Sequence, residues 1–151
     1  LPGCVLAAAG TGPEEEALRR MGGTVHALGA LPHPQIVQLL SQADCYCLPT
    51  EYAEGFPTTL LEAAACRCPI VCTHTAGTGE LLPGEDYAMF VEDTRPETLA
   101  AALQTVWKDF PAAERRAQKT LENLSARFTW QAVFATMMKT AQDACAQRAK
   151  R

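Results

Sequence analysis

Short apolar runs of four or five residues alternate along this chain with longer stretches whose apolar positions recur at helical spacing. Val5 to Ala9 reads as a buried strand, followed by the turn Gly10-Thr11-Gly12-Pro13. Glu14 to Met21 reads as a helix with acids in its first turn, where carboxylates complement the helix dipole, and Gly22-Gly23 stops it. Val25 to Leu28 is the next strand. Pro34 to Ala43 is amphipathic and sets Ile36, Val37, Leu39 and Leu40 on one broad face. Cys45 to Leu48 is a third strand, ended by Pro49; Pro57 to Ala65 is an apolar helix, and Ile70 to Thr73 a fourth strand. Leu81-Leu82 falls in a short turn-like piece, and Ala88 to Val91 is a fifth strand. Pro96 to Asp109 is a helix with proline in its first turn, where no amide donor is needed. Residues 111–125 and 129–149 are two more helices, and Trp107 and Trp130 fall on apolar helical faces and read as core.

Strand–helix alternation with near-continuous apolar strands predicts an α/β protein. The expected architecture is a Rossmann-like, doubly wound parallel sheet with helices on both faces, the 45–48 strand at its centre, and a C-terminal helical tail. Composition agrees with one folded domain: 151 residues, of which 48% are hydrophobic and 20% charged. The net charge of −4, with basic residues dispersed until the last helix, leaves no nucleic-acid footprint. No apolar run reaches the roughly 18 residues that span a bilayer. The apolar opening Leu1 to Ala9 has no basic residues before it and so does not read as a signal peptide. It also opens without Met, as a processed or excised piece of a larger protein would.

Seven cysteines include two pairs spaced by two, Cys45 with Cys47 and Cys66 with Cys68. In a strand, i and i+2 share a face, so Cys45 and Cys47 enter the core together. Zinc sites use C-x₂₋₄-C with a matching second pair, which is missing here. Reduced structural thiols in a cytoplasmic protein are expected, with no metal.

In an open parallel sheet, ligands bind beyond the carboxyl ends of the strands. The loop after the third strand, Pro49-Thr50-Glu51-Tyr52-Ala53-Glu54-Gly55-Phe56-Pro57-Thr58-Thr59, is therefore where chemistry is sought. Gly55 permits a tight turn or a close approach to a ligand. Pro57 suits a helix start, leaving the Thr58 and Thr59 amides free at a helix N-terminus that attracts phosphate. Thr58 and Glu62 are four apart and share a helix face. Glu62 sits in the run Leu60-Leu61-Glu62-Ala63-Ala64-Ala65, where an unpaired buried carboxylate would be costly, so it pairs internally or faces a polar cleft. There it could accept from two neighbouring sugar hydroxyls. On spacing alone, Glu54 as a solvated loop acid and Glu62 as a satisfied helix acid is the simpler reading.

The segment Glu54-Gly55-Phe56-Pro57-…-Leu61-Glu62-Ala63 closely resembles the E-x₇-E motif of the family-four retaining glycosyltransferases (glycosyl transferases group 1). Other pieces resemble the family in the right order. They are Val5 to Pro13, Val25-…-Leu28-Gly29, Gln42-Ala43-Asp44, Pro69-Ile70-Val71, Ala76-Gly77-Thr78-Gly79-Glu80-Leu81 and Phe128-Thr129-Trp130. The resemblance implies the C-terminal, donor-binding domain of a GT-B enzyme, taking a nucleotide-diphosphate sugar as donor substrate and using no metal or other cofactor. It implies that Glu54 meets donor-sugar hydroxyls as the catalytic residue. Gly55, Phe56, Pro57, Thr58 and Thr59 would hold diphosphate and sugar, and Glu62 would grip the ribose. Gly29, Ala30 and Leu31 would line the base pocket. Two departures stand out. The family usually has Gly before the proline that opens the fourth strand, where this chain has Arg67-Cys68. Family domains also begin with one more strand and helix, whose loop supplies an Arg and a Lys near the diphosphate. Residues 1–151 are accordingly expected to be a truncated part of a two-domain enzyme, inactive alone, its N-terminal acceptor-binding domain absent.

Gly10-Thr11-Gly12 lacks the third glycine and the distant acid of a dinucleotide fingerprint. No G-x-S-x-G elbow is present. His26, His33 and His74 are scattered; His74 follows the fourth strand and could face the cleft, but a loop histidine with no partner nearby in the sequence reads as solvated. Arg148, Lys150 and Arg151 suit a helix C-terminus; contact with a membrane surface is the one other use they suggest, unsupported by anything else in the sequence. The alternative function is a non-catalytic Rossmann-like module that binds a nucleotide or another protein. A degenerate copy of that kind would be expected to lose Glu54 or Glu62, and this chain keeps both.

Overall fold

The computed structural model describes residues 3–52 and 55–148. Glu54, Lys150 and Arg151, singled out above, lie outside them. The element order is β1 (Leu6–Ala9), α1 (Glu15–Met21), β2 (Val25–Gly29), α2 (His33–Gln42), β3 (Tyr46–Leu48), α3 (Thr58–Ala65), β4 (Ile70–Thr73), α4 (Ala76–Leu81), β5 (Met89–Val91), α5 (Pro96–Lys108), α6 (Phe110–Arg127) and α7 (Trp130–Arg148). Every pairing is parallel, and each pair of neighbouring strands is joined by a helix, as the alternating pattern predicts.

The strands form two sheets rather than one: β1 pairs with β2, and β3, β4 and β5 pair in that order. The third strand is thus an edge strand instead of the centre of a continuous sheet. Within the described residues no strand bridges β1 to β3, so each keeps a free hydrogen-bonding edge. The same break explains why β1, apolar in sequence, is not buried: Leu6 is 52% exposed. An apolar run is buried only where a second layer covers it, and β4, flanked on both sides and buried at all four positions, shows the contrast.

The core gathers around the three-stranded sheet in two clusters. Alternation along β3 divides its side chains between them. Tyr46 and Leu48 pack toward Leu60, Ala64, Leu81 and Leu82, while Cys45 and Cys47 pack together toward Val71, Val91, Val106 and Ala113. The expectation for the two cysteines holds, whereas that for the tryptophans fails. Trp107 is 64% exposed and Trp130 87% exposed. On α5 the buried positions are Ala102 and Val106, one residue away from Trp107, and α7 buries no residue at all. Along α7, Trp130, Phe134, Met137 and Met138 leave an apolar stripe facing solvent. Leu81 and Leu82 belong to α4 and its cap rather than to a turn, and both are buried.

Candidate functional site

The carboxyl ends of β3, β4 and β5 are tied to one another by threonines. The Thr50 amide donates to Thr73 Oγ1 at 3.1 Å, and Thr73 Oγ1 donates back to the Thr50 carbonyl at 2.7 Å. Thr78, buried, donates its hydroxyl to the Thr73 carbonyl at 2.9 Å and closes a reciprocal cap with Thr75 that starts α4. Thr94, beyond β5, donates to the Glu51 carboxylate. Both stems of the loop between β3 and α3 are therefore fixed, the first by these bonds and the second by α3 itself.

α3 begins at Thr58, with Pro57 as its buried N-cap. Proline offers no side-chain acceptor, so no side chain caps this end and its amides are open to an anion. Leu60, Ala63 and Ala64 face the core. The opposite face carries Thr58 and Thr59, exposed, and Glu62, whose side chain is 27% exposed. Phe56, half exposed, leans on Phe128 at the end of α6, with ring centroids 5.5 Å apart. A Cβ at Gly55 would meet nothing within 4 Å, which leaves its surroundings open. Gly29 does need to be glycine, at φ 66°, and its carbonyl accepts from the Gly10 amide at 2.7 Å, joining the turns that follow β1 and β2.

The Gly29–Leu31 turn and Glu62 are distant in sequence but close in the fold. Pro32 caps α2, and His33, its first residue, places Nε2 at 3.4 Å from Glu62 Oε1. Tyr46 approaches from β3, its hydroxyl 2.7 Å from Thr59 Oγ1. Burial pushes the Tyr46 phenol above its ordinary range; the Thr59 bond opposes this and the nearby Glu62 charge adds to it. Glu62 therefore faces a polar surface shared by α2, β3 and α3, as one of the two readings of its sequence context requires. His33 and Tyr46 were not legible as site residues. The available signals were slight: His33 follows the glycine turn at a helix start, and Tyr46 sits between two inward-facing cysteines and so must point the other way.

Among the described residues, no cluster of three His, Cys, Asp or Glu could hold a metal ion. The buried thiols of Cys68 and Cys72 are both pushed up to about 12 by burial, which keeps them protonated and poor as metal ligands or nucleophiles. The hollow bordered by Asp86, Arg115, Arg116 and Lys119 is a separate feature, and two of its cations are engaged: Lys119 with Asp86 at 2.6 Å and Arg116 with the Glu85 carbonyl at 3.1 Å.

Residues 2–109 match the pattern of the glycosyl transferases group 1 family. The chain belongs to that family. A glycogen synthase from Mycobacterium tuberculosis is 33% identical over 138 residues, covering 87% of this chain and 33% of the relative. The teichuronic acid biosynthesis glycosyltransferase TuaC of Bacillus subtilis is 33% identical over 104 residues, covering 66% of this chain and 26% of its own length. This glycosyltransferase-family chain thus spans about a third of the length of the glycogen synthase it matches. Among solved structures, the sucrose-phosphate synthase of Thermosynechococcus elongatus superposes with a TM-score of 0.83 at 23% identity, over 97% of this chain and 40% of that one. Anabaena HepE, determined in complex with UDP, superposes with a TM-score of 0.81 at 19% identity, over 95% and 42%. These likenesses establish the fold, a Rossmann-like α/β domain of GT-B type. No helix among the described residues is long and apolar enough to cross a membrane.

Proposed function

We propose that this chain is the donor-binding domain of a cytoplasmic GT-B glycosyltransferase that moves a hexosyl group from a nucleoside diphosphate to an acceptor with retention of configuration. The observation that carries the reading is the placement of Glu62 and the uncapped start of α3 on one polar face beyond the carboxyl end of β3, in a chain of this family. The diphosphate would lie against the Thr58 and Thr59 amides, where the helix dipole favours negative charge. The Glu62 carboxylate would accept from the ribose hydroxyls. The Gly29–Leu31 turn, brought alongside through His33, would border the base. Phe56, steadied by Phe128, and Gly55, with open space around it, would flank the sugar; Glu54 would orient its hydroxyls. No metal is assigned a role.

Two features support the reading that more polypeptide completes the cleft. The sheet is divided, with free strand edges at β1 and β3 that one further parallel strand would join. An exposed apolar face on α7 is the kind of surface that marks a contact. On this reading the chain binds donor but does not transfer sugar by itself. The competing reading, a non-catalytic module of the same fold, is disfavoured by the presence of both Glu54 and Glu62. Calorimetric titration with UDP, GDP and ADP tests the proposal, with the Glu62→Ala variant in parallel. Binding of one nucleotide, weakened in the variant, is the expected result; no binding, or equal binding by both proteins, would overturn it.

A further inference from the structure

We infer that His33 is a positioning residue that holds the Glu62 carboxylate in the orientation the nucleotide ribose requires; this rests on the donor-site reading above. Three other side chains lie around Glu62: the Tyr46 phenol from β3, and Thr59 and the Cys66 thiol from its own helix. The Tyr46 hydroxyl is already paired with Thr59, and the Cys66 thiol points to the Val37 carbonyl at 3.7 Å. That leaves the His33 ring, with Nε2 at 3.4 Å, as the group paired with Oε1.

The backbone of His33 is restrained on both sides. Pro32 precedes it at φ −60° and Pro34 follows it in the first turn of α2. Proline rings fix φ near −65° and restrict the residue before them, so the imidazole projects from a stiff support although its side chain is 69% exposed. A rigid support lowers the entropy cost of holding a weak, exposed contact. A carboxylate has two oxygens, and with Oε1 directed to His33 the other stays free to accept from a hydroxyl. The contact also couples the turn beside the base to the carboxylate beside the ribose, since His33 begins two residues after Leu31. Because Nε2 makes the contact, the Nε2–H tautomer is the one that serves.

The test is UDP, GDP and ADP binding by calorimetry to the whole chain and to His33→Ala, His33→Asn and His33→Gln, with far-UV circular dichroism confirming that each variant is folded. Glutamine sets an amide nitrogen near the position of Nε2, whereas asparagine reproduces only Nδ1. His33→Ala and His33→Asn should weaken binding by about three- to fivefold, and His33→Gln by less than about twofold, the range of an exposed charged contact. In a Glu62→Ala background, His33→Ala should have no further effect. Parent-like binding by all three variants, or the same loss with and without Glu62, would overturn the inference while leaving the donor site standing. If the parent chain binds none of the three nucleotides, the donor-site reading itself fails. The pairing is then decided by the ¹⁵N shifts of the His33 ring: the Nε2 shift should move between the parent and Glu62→Ala, and identical shifts would overturn it.

Discussion

The Arg67 amide donates to the Ala64 carbonyl at 3.0 Å, and Arg67 does so at φ 56°, the one left-handed residue other than glycine among the described residues. The Cys68 amide then reaches back to the Ala63 carbonyl at 2.9 Å. Together these bonds close α3 with the six-to-one and five-to-two pattern of a Schellman cap, whose left-handed position usually holds glycine. The sequence departure noted before Pro69 is therefore a change of residue and not of backbone: arginine adopts the conformation for which the family's glycine is suited. A side chain in this region carries a strain of roughly 1 kcal/mol that glycine does not. Arg67→Gly should thus raise stability in urea unfolding by no more than about 0.5 kcal/mol, because the greater freedom glycine gives the unfolded chain offsets much of the relieved strain. A loss of 1 kcal/mol or more would mean that Arg67 makes a contact worth more than its strain.

On the donor-site reading, nucleotide affinity should depend on Glu62. If its carboxylate accepts from the ribose, Glu62→Ala leaves those hydroxyls unpaired, at about 1–3 kcal/mol for charge-assisted bonds. That is a loss of about tenfold or more in affinity, read by calorimetry. Glu62→Gln keeps one acceptor and should fall between the two.

Burial raises the Cys68 and Cys72 thiols from their ordinary 9.0 to about 12, with the neighbouring Cys66 and Cys47 adding smaller like-charge contributions. The folded chain therefore holds these protons more tightly than the unfolded chain does. The stability this provides is complete below pH 9 and drains away as pH rises from 9 toward 12. Each thiol can contribute a slope of up to about 1.4 kcal/mol per pH unit in that window. Urea midpoints measured at pH 8 and pH 10 should differ clearly, and the difference should shrink in a Cys68→Ala, Cys72→Ala double variant. Equal midpoints at the two pH values would contradict the burial of both thiols.

Exposure of the tryptophans separates the two ends of the chain energetically. Trp130 buries almost nothing, so Trp130→Ala should change stability by less than about 0.5 kcal/mol. Leu60 is fully buried between α3 and the core, and Leu60→Ala should cost about 2–5 kcal/mol. A large loss from Trp130→Ala, measured by chemical unfolding, would show that α7 packs more closely than its exposure indicates.

The same contrast explains how far the sequence could be read. Among the described residues, all five strands and six of the seven helices follow from apolar runs and their spacing, because those patterns record which residues face a packed layer. The seventh helix, α4, escaped notice because its residues Ala76-Gly77-Thr78-Gly79 have poor helix propensity; it is held by the Thr75–Thr78 cap and by burial of Leu81. Trp107, Trp130 and Leu6 were misread for one reason: an apolar face in sequence shows that a partner surface is wanted, and not that the described residues supply it. At the site, the spacing of Thr58 and Glu62 was legible because it lies within one helix. The approach of His33 to Glu62 was not, since it depends on α2 and α3 packing side by side.

The described chain should show no measurable sugar transfer by itself. Retaining transfer requires the donor's anomeric carbon and the acceptor hydroxyl to be held together, a positioning worth roughly 7–11 kcal/mol of barrier. On the donor-site reading, the polar face at Glu62 holds one of the two substrates. Stabilisation of the leaving diphosphate is commonly the largest catalytic contribution, and it calls for cations aimed at the phosphates. Arg116 and Lys119 are engaged with Glu85 and Asp86, and His33 is directed at Glu62. The α3 amides would then face the developing charge in a site open to water, where each hydrogen bond is weakened by the high dielectric. Incubating the purified chain with UDP-, GDP- and ADP-sugars and common acceptors should therefore release no nucleoside diphosphate above the no-enzyme rate. Turnover in the ordinary range of about 1–10³ per second, abolished by Glu54→Ala, would show that these residues already form both walls of the cleft and that the divided sheet needs no further strand to work.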